Sequence, residues 1–417
     1  MAGFVLLDLA YVEEDCVALD EFEGLVNAHV SHAHDSTPIL FEKYSLTRRL
    51  NGVTTAAYDP IAADDLVVAL DVDPALFLLD VREPDEFADW VIPSAVNIPL
   101  GQLGARLDEV PLDAHVVVVC AKGSRAAEGA AILQEHGRPS AVLDGGMGAW
   151  ASTYDAVEGA FGGATVVQLR RRGKGCLSYV IGAGERCVVI DPSLDTQRYL
   201  DVAKQHGWQI ADVLDTHLHA DHLSGARALV KATGATLRLS AADHFHYDFV
   251  ALEDGQFIEL SPGVGLGVSA VSVPGHTEGS TLYTLGDVAV FTGDTLFLES
   301  VGRPDLADQA EAFAHLLYQS LHQRVLPLSD EVMVFPAHYG ASVEVHVGTF
   351  VARPLGELRR ELPALAFSEA DFVRWAVANV KDRPPNYQHI VMVNAGSEAL
   401  SADAAELELG PNRCAIA

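Results

Sequence analysis

The sequence predicts two α/β domains in series, the first built on a parallel sheet with helices on both faces and the second on mixed sheets. A chain of 417 residues is longer than a single domain built around one hydrophobic core usually is. From about residue 59 to 155, short buried strands alternate with helical segments, an order typical of a parallel sheet. From about residue 163 to 350, strands joined by glycine-rich turns indicate an antiparallel sheet that continues into mixed sheets with helices.

Local patterns define the elements of the first domain. Three short apolar runs predict its buried strands, at residues 76–80, 116–120 and 141–143. A helix is expected over residues 83–87, because Pro84 takes an early helical position, where its missing N–H costs nothing. The alanine-rich segment 124–136 has helical spacing and stops at Gly137. Strand and helix therefore alternate through the domain.

The second domain begins after a predicted linker marked by Gly159, Gly162 and Gly163. Its first elements are expected to be strands at 165–169, 176–181, 187–190 and 213–215, with a helix at 196–205. Residues 351–417 are expected to form a C-terminal extension that packs on this domain, with a helix at 369–379 and a strand at 390–393. Residues 1–58 form an N-terminal extension to which the sequence assigns no role.

The composition disfavours several classes of partner. Lys and Arg number 27 against 58 Asp and Glu, a formal net charge of −31, which argues against nucleic acid and anionic membranes as partners. No apolar run approaches the ~20 residues of a membrane-spanning helix, and the N-terminus lacks the basic region of a signal peptide. Five scattered cysteines favour reduced thiols in the cytoplasm. The sequence leaves the oligomeric state open, a homo-oligomer included.

Cys120 is the first candidate for chemistry. It ends a predicted strand and opens the loop Cys-Ala-Lys-Gly-Ser-Arg, after which a helix is expected. In this position the thiol faces unpaired backbone N–H groups and the positive end of the helix dipole. Lys122 and Arg125 add positive charge, so the loop favours a thiolate and can hold an anionic sulfur species. The alternative, a buried structural cysteine, fits this loop composition less well.

The first domain resembles the rhodanese family of sulfurtransferases across about residues 60–155. Four ordered motifs carry the resemblance: residues 79–83 with 86–87, residues 92–100, the Cys-x-x-Gly-x-Arg loop, and residues 143–147 with 149–150. One departure is Trp90-Val91, which replaces the usual Gly-His. The resemblance implies that Cys120 carries a persulfide and passes its outer sulfur to a nucleophile, with Arg125 as a catalytic neighbour and Lys122 binding substrate. A non-catalytic sulfur-binding or interaction module is the alternative.

A histidine-rich segment provides the second candidate site. It follows the predicted strand 213–215 and offers four potential metal ligands, His217, His219, Asp221 and His222. Core packing does not explain them, because buried imidazoles and carboxylates need partners. Further ligand types follow three other apolar runs, at His276, Asp294 and His338. Because loops after strand ends can converge on one edge of a sandwich, the set predicts a metal site. A solvated polar loop is the alternative.

These motifs resemble the metallo-β-lactamase superfamily across about residues 163–350, which implies an αββα sandwich with one or two metal ions. Asp191 matches an early aspartate of the superfamily and is expected to be structural. The segment 301–305 after Asp294 is similar to the persulfide dioxygenase branch, in a bacterial variant with Pro304. The rhodanese-like unit on the same chain favours that branch, and so, more weakly, does the tail segment 409–414.

In the persulfide dioxygenases one ferrous ion is held by residues that correspond in position to His217, His276 and Asp294. Two imidazoles and one carboxylate are the ligand set of non-haem Fe(II) oxygenases. The other candidates are then outer residues or ligands of a second metal: His219, Asp221, His222 and His338. The resemblance thus implies oxidation of a small-molecule persulfide by O2 to sulfite at mononuclear Fe2+. Because the second set is complete, a glyoxalase-II-like thioester hydrolase with two Zn2+ ions remains the alternative.

Two further residues are candidates for substrate binding. Arg303 suits a carboxylate of the thiol carrier, because a guanidinium forks onto carboxylates, and a structural ion pair with Asp305 is the alternative. Tyr339 stands beside the last predicted ligand in sequence. The remaining cysteines are expected to be structural, at positions 176, 187 and 414, and Cys16 has no assignment.

Overall fold

The computed structural model describes residues 58–270, 272–306, 309–380, 383, 386–401 and 404–416. Apart from Tyr58, the predicted N-terminal extension lies outside these residues, as does Cys16. The described chain forms three sheets, of five, seven and six strands. No helix in these ranges has the length and apolarity that a membrane crossing requires.

The first domain contains the five-stranded sheet, in the order β1-β5-β4-β2-β3 with every neighbouring pair parallel. Its strands are β1 (Asp59–Ile61), β2 (Leu76–Asp80), β3 (Val96–Asn97), β4 (His115–Val119) and β5 (Ser140–Leu143). Its helices are α1 (Ala63–Val72), α2 (Pro84–Asp89), α3 (Leu100–Leu103), α4 (Ser124–Glu135) and α5 (Gly146–Trp150), with one turn of 3-10 helix at Leu107–Glu109. The parallel sheet confirms the predicted architecture and brings Cys120 to the carboxyl end of β4.

The second domain pairs a seven-stranded sheet with a six-stranded sheet. The seven-stranded sheet comprises β6 (Tyr154–Phe161), β7 (Ala164–Arg171), β8 (Cys176–Ala183), β9 (Arg186–Ile190), β10 (Gln209–Leu214), β11 (Thr236–Leu239) and β12 (Val250–Ala251). The six-stranded sheet comprises β13 (Phe257–Ser261), β14 (Val264–Ala270), β15 (Leu282–Leu285), β16 (Ala289–Gly293), β17 (Met333–Pro336) and β18 (Arg353–Pro354). Helices α6 (Gln197–His206), α7 (Ala226–Thr233) and α8 (Ala310–Ser320), which continues as a π-helical turn at Leu321–Val325, belong to the same domain.

Alternate residues of the strands face two different cores, as expected for a sheet buried on both sides. Along β7, Val166 packs between the two sheets, whereas Val167 packs outward. The outward core also contains Tyr199 of α6 and Leu229 of α7, which cover the seven-stranded sheet. On the other side, Leu317 of α8 joins the core of the six-stranded sheet. The four layers confirm the predicted αββα sandwich.

The glycines of the predicted linker lie inside the sandwich, so that prediction is wrong. Residues 154–161 form β6, which pairs with β7 along its full length. Gly162 and Gly163 make the tight turn between the two strands, with φ of +55° and +84°. Two consecutive residues with positive φ define the turn that best matches the twist of a hairpin, and glycine adopts them without strain. A hairpin turn and a linker thus share the same sequence signal.

The C-terminal extension is mainly helical and packs on the second domain. It contains α9 (Leu355–Glu361), a 3-10 turn (Pro363–Ala366), α10 (Glu369–Ala378), α11 (Tyr387–Ala395) and α12 (Ala404–Leu407). The helix predicted at 369–379 is present as α10, whereas the strand predicted at 390–393 is wrong. Within α11 the buried residues are Ile390, Val393, Asn394 and Ala395, and the first three share one face of a helix. A run of four apolar residues cannot distinguish strand from helix by periodicity.

Candidate active sites

Cys120 follows β4 and is buried, with 1% of its surface exposed. Its Sγ accepts hydrogen bonds from the backbone N–H groups of Gly123, at 3.1 Å, and Ala126, at 3.3 Å. Gly123 precedes α4 and has φ of +96°, a conformation that glycine adopts without strain. Backbone donors at the start of a helix stabilise a thiolate or an anionic persulfide. The loop can therefore stabilise an anionic sulfur on Cys120.

The two basic residues of this loop have different surroundings. Arg125 donates to both carboxylate oxygens of Glu86, each at 2.7 Å. Through these hydrogen bonds, Arg125 lowers the pKa of Glu86 to about 2. Lys122 is exposed. Arg125 thus anchors the loop to α2, whereas Lys122 stays on the solvent side, where an anionic sulfur donor would arrive.

The three side chains predicted to bind iron meet in one buried place. His217, His276 and Asp294 each bring a ligand atom within 4.8 Å of the others. Asp294 Oδ2 lies 3.5 Å from His217 Nε2 and 3.3 Å from His276 Nε2. All three atoms are buried and lack a hydrogen-bond partner among the described residues. Such atoms are costly to bury unless something binds them, and a shared cation would satisfy all three.

The second nitrogen of each of these imidazoles is held by a neighbour. His217 Nδ1 lies 2.9 Å from Thr216 Oγ1, and His276 Nδ1 donates to the carbonyl oxygen of Arg303 at 3.0 Å. These contacts direct both Nε2 atoms towards Asp294. Burial lowers the pKa of His276 to about 4, so its ring is neutral and its Nε2 carries a lone pair.

A second cluster lies directly beside this trio. The other oxygen of Asp294, Oδ1, is 2.6 Å from His338 Nδ1, and His338 Nε2 is 2.9 Å from Asp221 Oδ2. Cys176, Asp221, His222 and His338 each bring one ligand atom within 4.8 Å of the others. Burial raises the pKa of the Cys176 thiol, but the neighbouring imidazoles of His222 and His338 together outweigh it, and the net pKa is about 7. The cluster therefore has the donor types of a thiolate-containing metal site.

Two of the three cysteines expected to be structural lie among potential metal ligands. Cys176 lies among potential ligands, and Cys414 lies with Asp294 and His338 in a further group of close ligand atoms. Cys187 packs in the apolar core under the outer helices, as expected. No local pattern marks Cys176, because its neighbour His338 is brought to it by a single bridge between distant segments. Only the tertiary structure reveals this pairing.

His219 is held by a neighbour outside the trio. Its Nε2 is 3.1 Å from Asp191 Oδ1, and burial, together with the neighbouring imidazoles, lowers its pKa to about 3. Asp191 also accepts from the backbone N–H of Thr216 at 2.6 Å and from its hydroxyl at 2.9 Å. With φ of +53°, Asp191 occupies a conformation that is uncommon for residues other than glycine. Asp191 thus holds the loop that carries His217 and His219 in place, in line with its expected structural role.

The C-terminal extension also supports the ligand loop, which sequence inspection missed. Asn394 of α11 donates to the carbonyl oxygens of His219, at 2.9 Å, and His222, at 2.8 Å. Glu408 accepts from the backbone N–H of Leu223, and its other oxygen binds Arg171 at 2.8 Å. Both tail residues are buried. Neither stands in a motif, so the sequence carries no signal for this role.

Two substrate-binding residues were expected in the second domain, Arg303 and Tyr339, and neither lines the pocket that opens beside His276. Arg303 is 1% exposed and forks onto Asp305 at 2.7 and 2.9 Å, which favours the structural ion pair over binding of a carrier carboxylate. Its carbonyl oxygen, by contrast, positions His276, as described above. Tyr339 lines a different cavity, between the two domains.

A pocket of about 530 Å³ opens beside His276. Apolar side chains from both the sandwich and the tail line it, including Leu218, Ala220, Phe313, Val391 and Met392. Asp243 on its wall accepts from the backbone N–H groups of Leu218, at 2.8 Å, and Gly279, at 2.7 Å, so its charge is engaged. The pocket can hold an organic substrate with one end against His276, the member of the trio that lines it.

Comparison with known proteins identifies both domains. The model of the metallo-beta-lactamase superfamily matches residues 171–338, and that of the rhodanese-like domain matches residues 62–153. The chain is 30% identical over 207 residues to the mitochondrial persulfide dioxygenase ETHE1 of Bos taurus, covering 47% of this chain and 74% of that protein. It is 34% identical over 159 residues to a hydroxyacylglutathione hydrolase of Pseudomonas entomophila, covering 37% of this chain and 58% of that protein.

A solved structure supports the same placement. The crystal structure of ETHE1 from Myxococcus xanthus matches with a TM-score of 0.50 at 29% identity, covering 56% of this chain and 98% of that chain. The ligand motifs, the four-layer sandwich and these relatives agree. The chain belongs to the metallo-beta-lactamase superfamily and carries a rhodanese-like domain ahead of the superfamily domain, as the sequence motifs predicted.

Proposed function

We propose that the sandwich domain is a persulfide dioxygenase and that the rhodanese-like domain is a sulfurtransferase acting through Cys120. The first reaction converts a thiol persulfide, O2 and water to the thiol, sulfite and two protons. The outer sulfur of the persulfide is oxidised and gives four electrons to O2, so atoms and charge balance. Glutathione persulfide is the model substrate, and the identity of the natural thiol carrier stays open.

The observation that carries this proposal is the set of unpartnered ligand atoms. Among the described residues, the trio offers two imidazole nitrogens and one carboxylate oxygen that are buried, unpartnered and within 4.8 Å of one another. His219 Nδ1 and His338 Nε2 are unpartnered as well, but the second nitrogen of each of these rings already lies against a carboxylate, of Asp191 and Asp294 respectively. His217, His276 and Asp294 fit a mononuclear ferrous ion, which supplies the redox chemistry that zinc lacks. Relatives at about 30% identity that are persulfide dioxygenases support the same choice.

The protein's own residues would position the substrate and exclude water. The apolar walls of the 530 Å³ pocket suit the body of a thiol carrier and place its sulfur end beside His276. Arg303 and Thr216 orient the two ligand imidazoles through their Nδ1 atoms. Burial of the trio keeps solvent away from the reacting sulfur.

In the rhodanese-like domain, the Cys120 thiolate would attack the outer sulfur of thiosulfate. A Cys120 persulfide forms, the S–S bond of the donor breaks, and sulfite leaves with the bonding electron pair. The N–H groups of Gly123 and Ala126 are placed to stabilise the anionic sulfur. A thiol acceptor then takes the sulfur and restores the thiolate, and sulfite as acceptor would give thiosulfate.

O2 consumption tests the first activity. Iron-loaded protein given glutathione persulfide should take up O2 and release sulfite, and an absence of uptake would defeat the proposal. Sulfur transfer from thiosulfate tests the second activity. Cys120→Ser should abolish it while leaving O2 uptake intact, and normal transfer by this variant would remove Cys120 from the mechanism. Trapping a persulfide on Cys120 separates an active sulfurtransferase from a non-catalytic module.

A binuclear zinc thioester hydrolase is the second candidate. It is favoured by the intact cluster of Cys176, Asp221, His222 and His338, and by the hydroxyacylglutathione hydrolases among the relatives. Elemental analysis of protein from iron-supplemented cells discriminates between the two candidates. About one iron per chain supports the oxygenase, and about two zinc ions per chain support the hydrolase.

A further inference from the structure

A cavity of about 390 Å³ lies between the two domains, apart from both sites described above. Trp90 and Trp150 of the rhodanese-like domain form one wall, and Lys174 and Tyr339 of the sandwich domain line the other. The indole N–H of Trp90 donates to the carbonyl oxygen of Gly173 at 3.0 Å, so the wall is tied to the hairpin that carries Lys174. The cavity is therefore a built feature of the domain interface.

Lys174 is a buried cation with neutral partners. It is 5% exposed, and its Nζ donates to the carbonyl oxygens of Glu408, at 2.9 Å, and Gly410, at 3.4 Å. Within the described parts of the chain, no carboxylate lies within 4.0 Å of this ammonium. A buried charge normally has a counter-charge, and an ammonium has a third N–H to donate.

Tyr339 offers a second donor to the same cavity. It is 9% exposed, and its hydroxyl is buried without a hydrogen-bond partner in the described structure. A buried hydroxyl without a partner and an ammonium without a neighbouring carboxylate therefore line the same cavity, and both can donate to an anion.

The other charged groups around the cavity are engaged or exposed. Arg172 donates to Asp155 at 2.9 Å and lies 4.0 Å from Asp71, so carboxylates balance its charge. Glu344 and His346 stand at the rim, with side chains 90% and 62% exposed. Lys174 is thus the lining cation whose charge is left for a ligand.

We propose that this interface cavity binds a small sulfur oxyanion, sulfite or thiosulfate, with the Lys174 ammonium and the Tyr339 hydroxyl as donors. That the ligand is an anion follows from the two donors that line the cavity. That it is a sulfur oxyanion rests on the proposed function, because one domain would release sulfite and the other would exchange it with thiosulfate.

The proposed anion site adjoins the backbone of the second cluster, which contains Cys176 and His338. The N–H of Tyr339 donates to the carbonyl oxygen of Gly175 at 3.0 Å, and the next residues on each segment towards the metal, His338 and Cys176, form a β-bridge. An anion on Lys174 and Tyr339 would therefore contact residues two positions from Cys176 and one position from His338. Anion binding would therefore affect the positions of Cys176 and His338 through this shared backbone.

Calorimetric titration of the full-length holoprotein with sulfite, thiosulfate and sulfate tests the proposal. Wild type should bind sulfite or thiosulfate, and Lys174→Gln and Tyr339→Phe should each weaken that binding by about 10-fold or more. Tyr339→Phe removes one oxygen and keeps the packed ring, so it retains the fold if Lys174→Gln does not. Lys231→Gln, an exposed lysine on α7, is the charge-matched control and should bind like wild type.

Each outcome bears on the proposal. An absence of binding to wild type, or binding that neither substitution changes, would overturn the site. Equal affinity for sulfate would overturn the choice of a sulfite or thiosulfate ligand. If the protein binds sulfite through Lys174 but shows no O2 uptake with glutathione persulfide, the anion site stands and the dioxygenase proposal fails.

Discussion

Replacing Gly146 with alanine should damage the sulfurtransferase site without altering its cysteine. Gly146 begins α5 with φ of +57° and lies against the backbone of the Cys120 loop. A Cβ at this position would stand 2.2 Å from the carbonyl oxygen of Cys120 and 2.9 Å from the carbonyl carbon of Ala121. Both are backbone atoms, so rotation of a side chain cannot relieve the overlap. The loop that holds the thiol must move.

The size of the effect follows from that distance. A carbon and a carbonyl oxygen in ordinary contact are about 3.3 Å apart, so the loop must shift by about 1 Å. Because a shift of about 1 Å in a reacting group costs up to about 100-fold in rate, kcat/KM for sulfur transfer should fall by about 10- to 100-fold. Overpacking costs about 1–3 kcal/mol and left-handed alanine about 1–2 kcal/mol, so the free energy of unfolding should fall by about 2–5 kcal/mol.

Sulfur transfer from thiosulfate to cyanide, with thermal unfolding of the same samples, measures both effects. Gly148→Ala is the matched control, because it lies in the same helix and a Cβ there would meet nothing within 4 Å. The control should transfer sulfur like wild type. If Gly146→Ala behaves like Gly148→Ala in both measurements, the inferred packing of this helix against the thiol loop is incorrect.

Three further predictions concern the metal trio, the tail and the thiol loop. Asp294→Asn should lower iron content by about 10-fold or more, whereas His219→Asn should retain iron; equal losses in elemental analysis would contradict the assigned ligands. Asn394→Ala leaves two buried carbonyl groups of the ligand loop without a donor, so denaturant unfolding should show a loss of about 1–3 kcal/mol, and an unchanged midpoint would remove the tail from the site's support. Because Arg125 lowers the pKa of Glu86 from 4.5 to about 2, their pair stabilises the fold above about pH 4.5, and this contribution is lost as the pH falls towards 2. The side chains of Arg125 and Glu86 are 31% and 35% exposed, so Glu86→Gln should lower the free energy of unfolding by at most about 1 kcal/mol at neutral pH. A Tm difference from wild type that persists near pH 2 would contradict the pair's role.

The parts of the molecule that the sequence predicted are those with a local cause. The Cys120 loop is one continuous segment between a strand and a helix, so its residues already specify the direction of its N–H groups. The ligand loop at His217 is equally local, and the three later ligands each follow an apolar strand. Because carboxyl ends of neighbouring strands meet at a sheet edge, their convergence could be expected before any coordinates.

The parts that escaped prediction depend on contacts between distant segments. Gly162 and Gly163 carry the same signal in a hairpin as in a linker, and only the pairing of β6 with β7 separates the two. Asn394 and Glu408 support the ligand loop from far along the chain. Asn394 is 172 residues from its partner His222, and Glu408 is 185 residues from its partner Leu223. Cys176 likewise acquires its neighbours from the far side of the sandwich. A polar residue with a non-local partner leaves no periodic trace in sequence.

The surroundings of Asp294 bear directly on whether the site holds one ion or two. Its Oδ1 is 2.6 Å from His338 Nδ1, whereas its Oδ2 faces the free Nε2 atoms of His217 and His276. A carboxylate whose first oxygen is fixed by an imidazole can offer the second oxygen to a single ion in a defined direction. His338 Nε2 already faces Asp221 of the Cys176 cluster, at 2.9 Å. For a second ion to share Asp294, however, His338 would have to release the Nδ1 contact with Oδ1. At Asp294 the arrangement thus supports the proposed single ion, with His338 acting on it through the carboxylate.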